Sequence, residues 1–339
     1  MGKALEADIA SGFFSEWSFN LRENGFKWKM IPVSSEIFRK WFRHIKLKYA
    51  FLFKTSFLKD YDKVIFSWDC ISAIWQCDKK TKKIYYCHTP PRYLYDLHYL
   101  YLEKVPFFIK PVFKLFCAVF KYMYEKDISK LDLILTNSIN TQNRIKSFLW
   151  IDSKILYPPV DMKQFQFLWQ KDYYLSFARL ADAKRVDRVV QAFKKMPDKN
   201  LIVIYWENDP AKQKIFDLAH GCENIQFVTL KNNVWFTDYV WNAIATLYIP
   251  IDEDFGMSPV ESMSAGKPVI WVDDGGLKES IVDGKTGVLI DKQAHIDDII
   301  SAVHQITPKK ALSMRKACET RAKDFSLDSF EKRLKKLIK

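Results

Sequence analysis

Short, continuously apolar runs alternate along the chain with longer stretches of helical spacing. In the second half the runs fall at 173–177, 201–205, 225–229, 245–249 and 268–272. Runs this short and this uniformly apolar read as strands buried on both faces, the mark of a parallel sheet. Between them lies helical sequence, one helix ending near Met196 and more helix from about 295 onward. In the first half, strands are expected at 3–10, 27–33, 61–68, 83–86 and 131–137. Helices are expected from Ser15 to near Gly25 and over 35–59, 107–126 and 139–148. Strands alternating with helices predict an α/β fold built on parallel sheets. The paired prolines of Tyr157-Pro158-Pro159 favour an extended joint and divide the chain near 158.

In such folds ligands bind outside the carboxyl ends of the strands, so the loops there hold the candidate chemistry. After the run at 245–249, Glu253 and Glu261 stand eight positions apart. Between them Phe255, Gly256, Met257 and Ser258 read as a loop entering a helix, whose N-terminus offers amides and a positive dipole end to an anion. A second glycine loop, Asp273-Asp274-Gly275-Gly276, converges on the same sheet edge. Two acids at this spacing alone describe a solvated helix face as readily as a site. Arg179 and Lys184 follow the run at 173–177. They read either as two surface cations or as a clamp for a diphosphate. His88 ends the strand at 83–86, in a loop stiffened by Pro90 and Pro91, and is structural or functional with equal warrant. Gly12, between Ser11 and Phe13, is a single-glycine candidate phosphate loop.

The stretch EDFGMSPVESMSAGKPVI, with the following GGLKESIVDGKTG, resembles the donor-binding region of the retaining family-4 glycosyltransferases of GT-B fold. YCHTPPRYLYDL resembles a segment of the GDP-mannose-dependent mannosyltransferases of surface polysaccharide and lipopolysaccharide assembly. YPPVD recurs in the family at the joint, and the resemblance covers about 60–335. It implies two Rossmann-like parallel-sheet domains facing each other across a cleft. The acceptor-side domain would span 1–158, completed by a terminal helix at about 325–339, and the donor domain 159–324. By the same resemblance Arg179 and Lys184, in R-x4-K-x2-D, neutralise the donor diphosphate. Phe255, Gly256, Met257 and Ser258 line the donor, and Glu261 accepts from the ribose. Glu253 and His88 act at the transferred sugar. The implied reaction is metal-independent transfer of a hexose, mannose from GDP-mannose, with no cofactor beyond the nucleotide-sugar substrate. Two departures stand out: one glycine where the first loop usually has a pair, and Trp206-Glu207-Asn208-Asp209-Pro210 where a glycine loop is usual. The first of them leaves a catalytically impaired GT-B-like subunit of a larger assembly as an alternative.

Composition adds a surface. The 339 residues carry 53 Lys+Arg against 40 Asp+Glu, a net charge of +13 that favours an anionic partner. The excess collects in 39–59, which contains no acid, and in 107–126, where Phe and Tyr interleave with Lys. Nucleic acid is not expected, because no recognition motif accompanies the charge. An anionic membrane surface bearing a glycolipid or oligosaccharide acceptor fits better, with Arg39, Lys40, Arg43, Lys46 and Lys48 as its cations. In 107–126 the stripe Phe113, Phe116, Phe120 and Met123 is expected to face the core. Six scattered cysteines, no C-x2-C pair and acids at Glu6 and Asp8 predict a reduced cytoplasmic protein, peripheral on the inner face of the membrane.

Overall fold

The computed structural model describes residues 1–14, 21–22, 25–34, 43–229 and 236–339. The chain forms two compact units, Met1–Leu156 with Glu331–Lys339, and Tyr157–Phe330. The helix expected from Ser15 and the beginning of the one expected over 35–59 lie outside the described residues, as do Arg39 and Lys40.

The first unit holds β1 (Ile9–Ser11) paired in parallel with β2 (Met30–Pro32). Beside this pair is a parallel four-stranded sheet, β3 (Lys63–Ser67), β4 (Lys82–Cys87), β5 (Leu133–Thr136) and β6 (Lys154–Ile155), in that order. The strand expected at 3–10 is corrected: Gly2–Leu5 is a helical turn, and only Ile9–Ser11 is extended. Ala4 and Leu5 are good helix formers, and Glu6, in the left-handed region at φ 52°, closes the turn onto the carbonyls of Gly2 and Lys3. Strands at 61–68, 83–86 and 131–137 appear within a few residues of where the apolar runs place them.

Helix Lys110–Ile128 presents two apolar stripes rather than one. Phe113, Phe116 and Phe120 are half-buried and pack ring to ring, Phe116 to Phe120 at 4.1 Å between centroids. Val112, Leu115, Val119 and Tyr122 form an outer stripe that is exposed. Lys48, expected among the membrane cations, is instead drawn inward: its Nζ pairs with buried Asp127 at 3.4 Å and lies over Phe120. Asp127 is buried, where a carboxylate left without a cation is strongly destabilising.

The second unit is one parallel six-stranded sheet: β7 (Tyr174–Ser176), β8 (Leu201–Tyr205), β9 (Ile225–Thr229), β10 (Thr246–Tyr248), β11 (Val269–Val272) and β12 (Gly287–Ile290). Their order is β12-β11-β10-β7-β8-β9. From β7 the chain proceeds outward one way to β8 and β9, then returns to β10 on the other side and proceeds to β11 and β12. The reversal lies between β7 and β10, paired at Leu175 and Thr246. Loops leaving those two strands diverge, and the crevice between them is where such sheets bind ligands. Strand β12 escapes sequence reading because it is four residues long and begins with glycine. A Cβ on Gly287 would sit 2.1 Å from the Val269 carbonyl oxygen, so only glycine allows β12 to approach β11.

Candidate functional site

Loops from β7 and β10 bring Lys184 and Glu253 together. Lys184 closes a 3-10 turn, Asp182–Lys184, and its Nζ is ion-paired with Glu253 Oε2. It also donates to Tyr248 Oη at 3.2 Å and lies 5.4 Å from that ring's centroid. Tyr248 is the last residue of β10 and is buried. Burial, then the negative charges of Glu253 and Glu261, hold its hydroxyl well above the usual tyrosine range. A protonated phenol thus stands among two acids and a lysine.

Arg185 fixes the frame behind this group. It is buried, in the left-handed region at φ 52°, and donates from Nε to the Ile249 carbonyl at 2.6 Å. Its terminal nitrogens reach the carbonyls of Pro250 at 2.9 Å and Lys292 at 2.7 Å. One guanidinium thereby satisfies three backbone acceptors, two just past β10 and one just past β12. Desolvation holds its pKa below the ordinary arginine value.

Glycines shape the loop that carries Glu253. Gly276 donates its amide to the Glu253 carbonyl at 2.8 Å. A Cβ on Gly275 would lie 2.3 Å from that same carbonyl oxygen, and one on Gly276 would lie 2.2 Å from that of Asp254. The two backbones touch, which no larger residue permits. Gly256, at φ 82°, then turns the chain into helix Met257–Ser264 and supplies no side-chain cap. The amides of Met257 and Ser258 are therefore presented at a helix N-terminus suited to an anion. Phe255 points into the core, packed on Tyr157 and Phe325, and holds the loop rather than lining it.

Glu261 lies on helix Met257–Ser264, half-buried, and burial pushes its carboxyl up to about 7. Arg179 stands past the end of β7 with its side chain 64% exposed, and its Nε pairs with Asp209 at 3.1 Å. Asp209 is buried and also accepts from the amides of Leu180 at 3.1 Å and Trp206 at 3.0 Å. The Trp206–Pro210 loop, without the usual glycine, thus serves as an anchor for the loop bearing Arg179. Sequence reading did not single out Tyr248, Arg185 or Asp209. Their signals were positional only: a strand's last residue and the neighbours of named candidates.

His88 belongs to the first unit, at the carboxyl end of β4. Its Nε2 shares a 3.0 Å hydrogen bond with Ser67 Oγ, and its ring stacks on Trp68 at 4.3 Å. Burial lowers its pKa to about 4, so the imidazole is neutral near pH 7. Gly12 is buried, and a Cβ there would meet Leu47 at 2.9 Å. Packing against helix Arg43–Phe53 accounts for that glycine without a phosphate. Among the described residues, no three His, Cys, Asp or Glu are grouped to hold a metal ion.

Residues 160–325 match the family model of glycosyl transferases group 1. The chain is 27% identical over 333 residues to the alpha-1,3/1,6-mannosyltransferase ALG2 of Dictyostelium discoideum, covering 82% of this chain and 75% of that one. It is 25% identical over 198 residues to the O-antigen chain mannosyltransferase RfbU of Salmonella typhimurium, covering 55% of each. In fold it is similar to sucrose-phosphate synthase from Thermosynechococcus elongatus, with a TM-score of 0.80 at 15% identity over 99% of this chain and 90% of that one.

Proposed function

On the premise that this chain is a group 1 glycosyltransferase of the GT-B fold, we propose that it transfers mannose from GDP-mannose, with retention, to a lipid-linked saccharide at an anionic membrane surface. The observation that carries the donor reading is the Lys184–Glu253–Tyr248 group at the strand reversal, beside a helix N-terminus.

The leaving group is a nucleoside diphosphate, whose growing negative charge must be met by fixed positive ends. Lys184, exposed Arg179 and the amides of Met257 and Ser258 supply them. Both cations rest on carboxylates, Glu253 and Asp209, so their side chains are held ready and exchange one anionic partner for another on binding. Glu261 takes the ribose hydroxyls once its carboxyl is charged. Glu253, released from Lys184, is left for the hexose. The neutral imidazole of His88 suits hydrogen bonding to a sugar hydroxyl rather than charge stabilisation. The relatives named above are mannosyltransferases by name, which supports mannose as the sugar. An intact cation–carboxylate group argues against the impaired-subunit alternative.

For the membrane, the support is the outer stripe of helix Lys110–Ile128 together with Phe107 and Phe108, which are 86% and 77% exposed. Lys104, Lys114 and Lys121 are exposed beside them. Aromatic and aliphatic side chains ringed by lysines match an interfacial anchor. Cations add about 1 kcal/mol each near an anionic leaflet. Among the described residues no helix is long and apolar enough to cross a membrane.

The test is a thermal-shift series with GDP, UDP, ADP and their sugar derivatives, followed by anomeric analysis of the product. GDP should raise the melting temperature most, and GDP-mannose should be consumed. A larger shift with another base would overturn the assignment of donor.

A further inference from the structure

Trp68 combines a costly backbone with an exposed indole, and unlike the left-handed Trp150 it closes no helix and stacks on a neighbouring ring. A bulky side chain occupies the left-handed region at φ 57°, and the indole is 66% exposed. Left-handed backbone at a residue with a large side chain is a costly outlier, tolerated where surrounding contacts enforce it. Those contacts are visible. Ser67 caps the 3-10 helix Trp68–Gln76, its amide donating to Cys70 Sγ at 3.2 Å, and Tyr85 Oη donates to the Trp68 carbonyl at 3.4 Å. One indole face lies flat on His88, 17° from parallel. With that face covered and most of the side chain still exposed, the other face meets solvent. Packing alone does not account for this placement, because an exposed indole contributes little burial.

The location adds meaning. Trp68 follows β3 and His88 follows β4, so the platform sits at the carboxyl edge of the parallel sheet. The exposed Asp69 is next in the chain, near enough to Tyr93 for its charge to add to the burial that raises that hydroxyl's pKa. A flat π face, whose quadrupole is negative, complements the apolar C–H face of a pyranose. An adjacent carboxylate accepts from the hydroxyls at the ring's rim.

We propose that Trp68 and Asp69 form a saccharide subsite in the first unit, which stacks a pyranose ring of the acceptor on the free indole face. Naming that sugar as the acceptor rests on the glycosyltransferase reading above; the stacking itself does not. His88 positions the platform by backing the indole, and the left-handed backbone turns the free face outward.

The experiment uses the full chain and four methyl pyranosides, α-mannoside, β-glucoside, β-galactoside and N-acetyl-β-glucosaminide, with saturation-transfer NMR. At least one should bind, with transfer concentrated on the C–H protons of one ring face. Trp68→Gly should weaken that binding by about tenfold, the order of an aromatic stacking contact, and Trp68→Phe by less. Glycine relieves the strained backbone, so the melting temperature of Trp68→Gly should not fall. Asp69→Asn should weaken binding without changing the ring face. Absence of binding by all four, or equal binding by Trp68→Gly, would overturn the subsite. GDP is run in parallel: its thermal shift should be the same in both proteins. Absence of a GDP shift in the parent protein, with the sugar signal intact, sinks the donor reading and leaves the subsite standing.

Discussion

Lys184 and Glu253 are 69 positions apart in the chain and form a direct ion pair across the strand reversal between β7 and β10. Neither side chain is fully buried, at 25% and 19% exposed, so the pair is screened and exchangeable rather than a fixture of the core.

That exchangeability predicts a division between fold and turnover. Arg179→Ala and Lys184→Ala should each fold normally and lose about 100-fold or more in kcat/KM, the usual loss on removing one charge-stabilising donor. Glu253→Ala should lower kcat while leaving GDP affinity intact, since GDP carries no hexose for it to hold. Circular dichroism, steady-state kinetics and GDP titration check all three. Unchanged turnover in both cation variants would remove the diphosphate assignment.

The raised carboxyl of Glu261 predicts a pH-dependent donor affinity. Its pKa of about 7 means it is largely protonated at pH 6 and charged at pH 8. Only the charged form accepts from both ribose hydroxyls, so affinity for GDP-mannose should tighten as pH rises through 7. The sugar nucleotide is the right probe, because its diphosphate has no ionisation of its own in that range. Glu261→Gln should flatten the profile. Isothermal titration at pH 6, 7 and 8 reads the difference.

Lys267 predicts a pH dependence of stability with the opposite group. It is buried, donates to the Trp169 carbonyl at 2.9 Å and lies 4.2 Å from the Phe167 centroid. Desolvation, then the nearby Arg315, lowers its pKa to about 7 from 10.5. Between those values the unfolded chain binds more protons than the folded one, so stability rises with pH across the window. Below 7 both states are protonated and the full penalty of a buried ammonium applies. Urea unfolding at pH 7.0 and 8.5 should show the increase, and Lys267→Met should abolish this residue's share of it.

The outer apolar stripe predicts two separable parts of membrane binding. Serine at Phe107, Phe108 and Leu115, exposed at 86%, 77% and 66%, should leave the fold intact. It should remove the part of binding to phosphatidylglycerol-containing vesicles that survives high salt. Glutamine at Lys104, Lys114 and Lys121 should remove the salt-sensitive part. Cosedimentation of either variant equal to the parent would sink the assignment of that part.

The linear pattern determined the class of fold and most strands of the second unit, because a strand buried on both faces must be apolar at every position. The runs at 201–205 and 225–229 coincide with β8 and β9 residue for residue. It also placed Arg179, Lys184, Glu253 and Glu261 in loops or helices following strands, since turn residues and glycines mark where strands end. Tertiary structure decided which of those loops meet. Strand order is a long-range property, and only the reversal at β7 and β10 brings Lys184 onto Glu253 and Tyr248. It decided that Asp209, in a loop that departs from the family pattern, anchors the Arg179 loop. It exposed the outer stripe of helix Lys110–Ile128 and drew Lys48 onto Asp127, because a helix with apolar residues on two sides can bury only one of them. The left-handed turn at Trp68 carries no glycine to announce it; the contacts that enforce it come from Cys70, Tyr85 and His88, which the fold alone assembles.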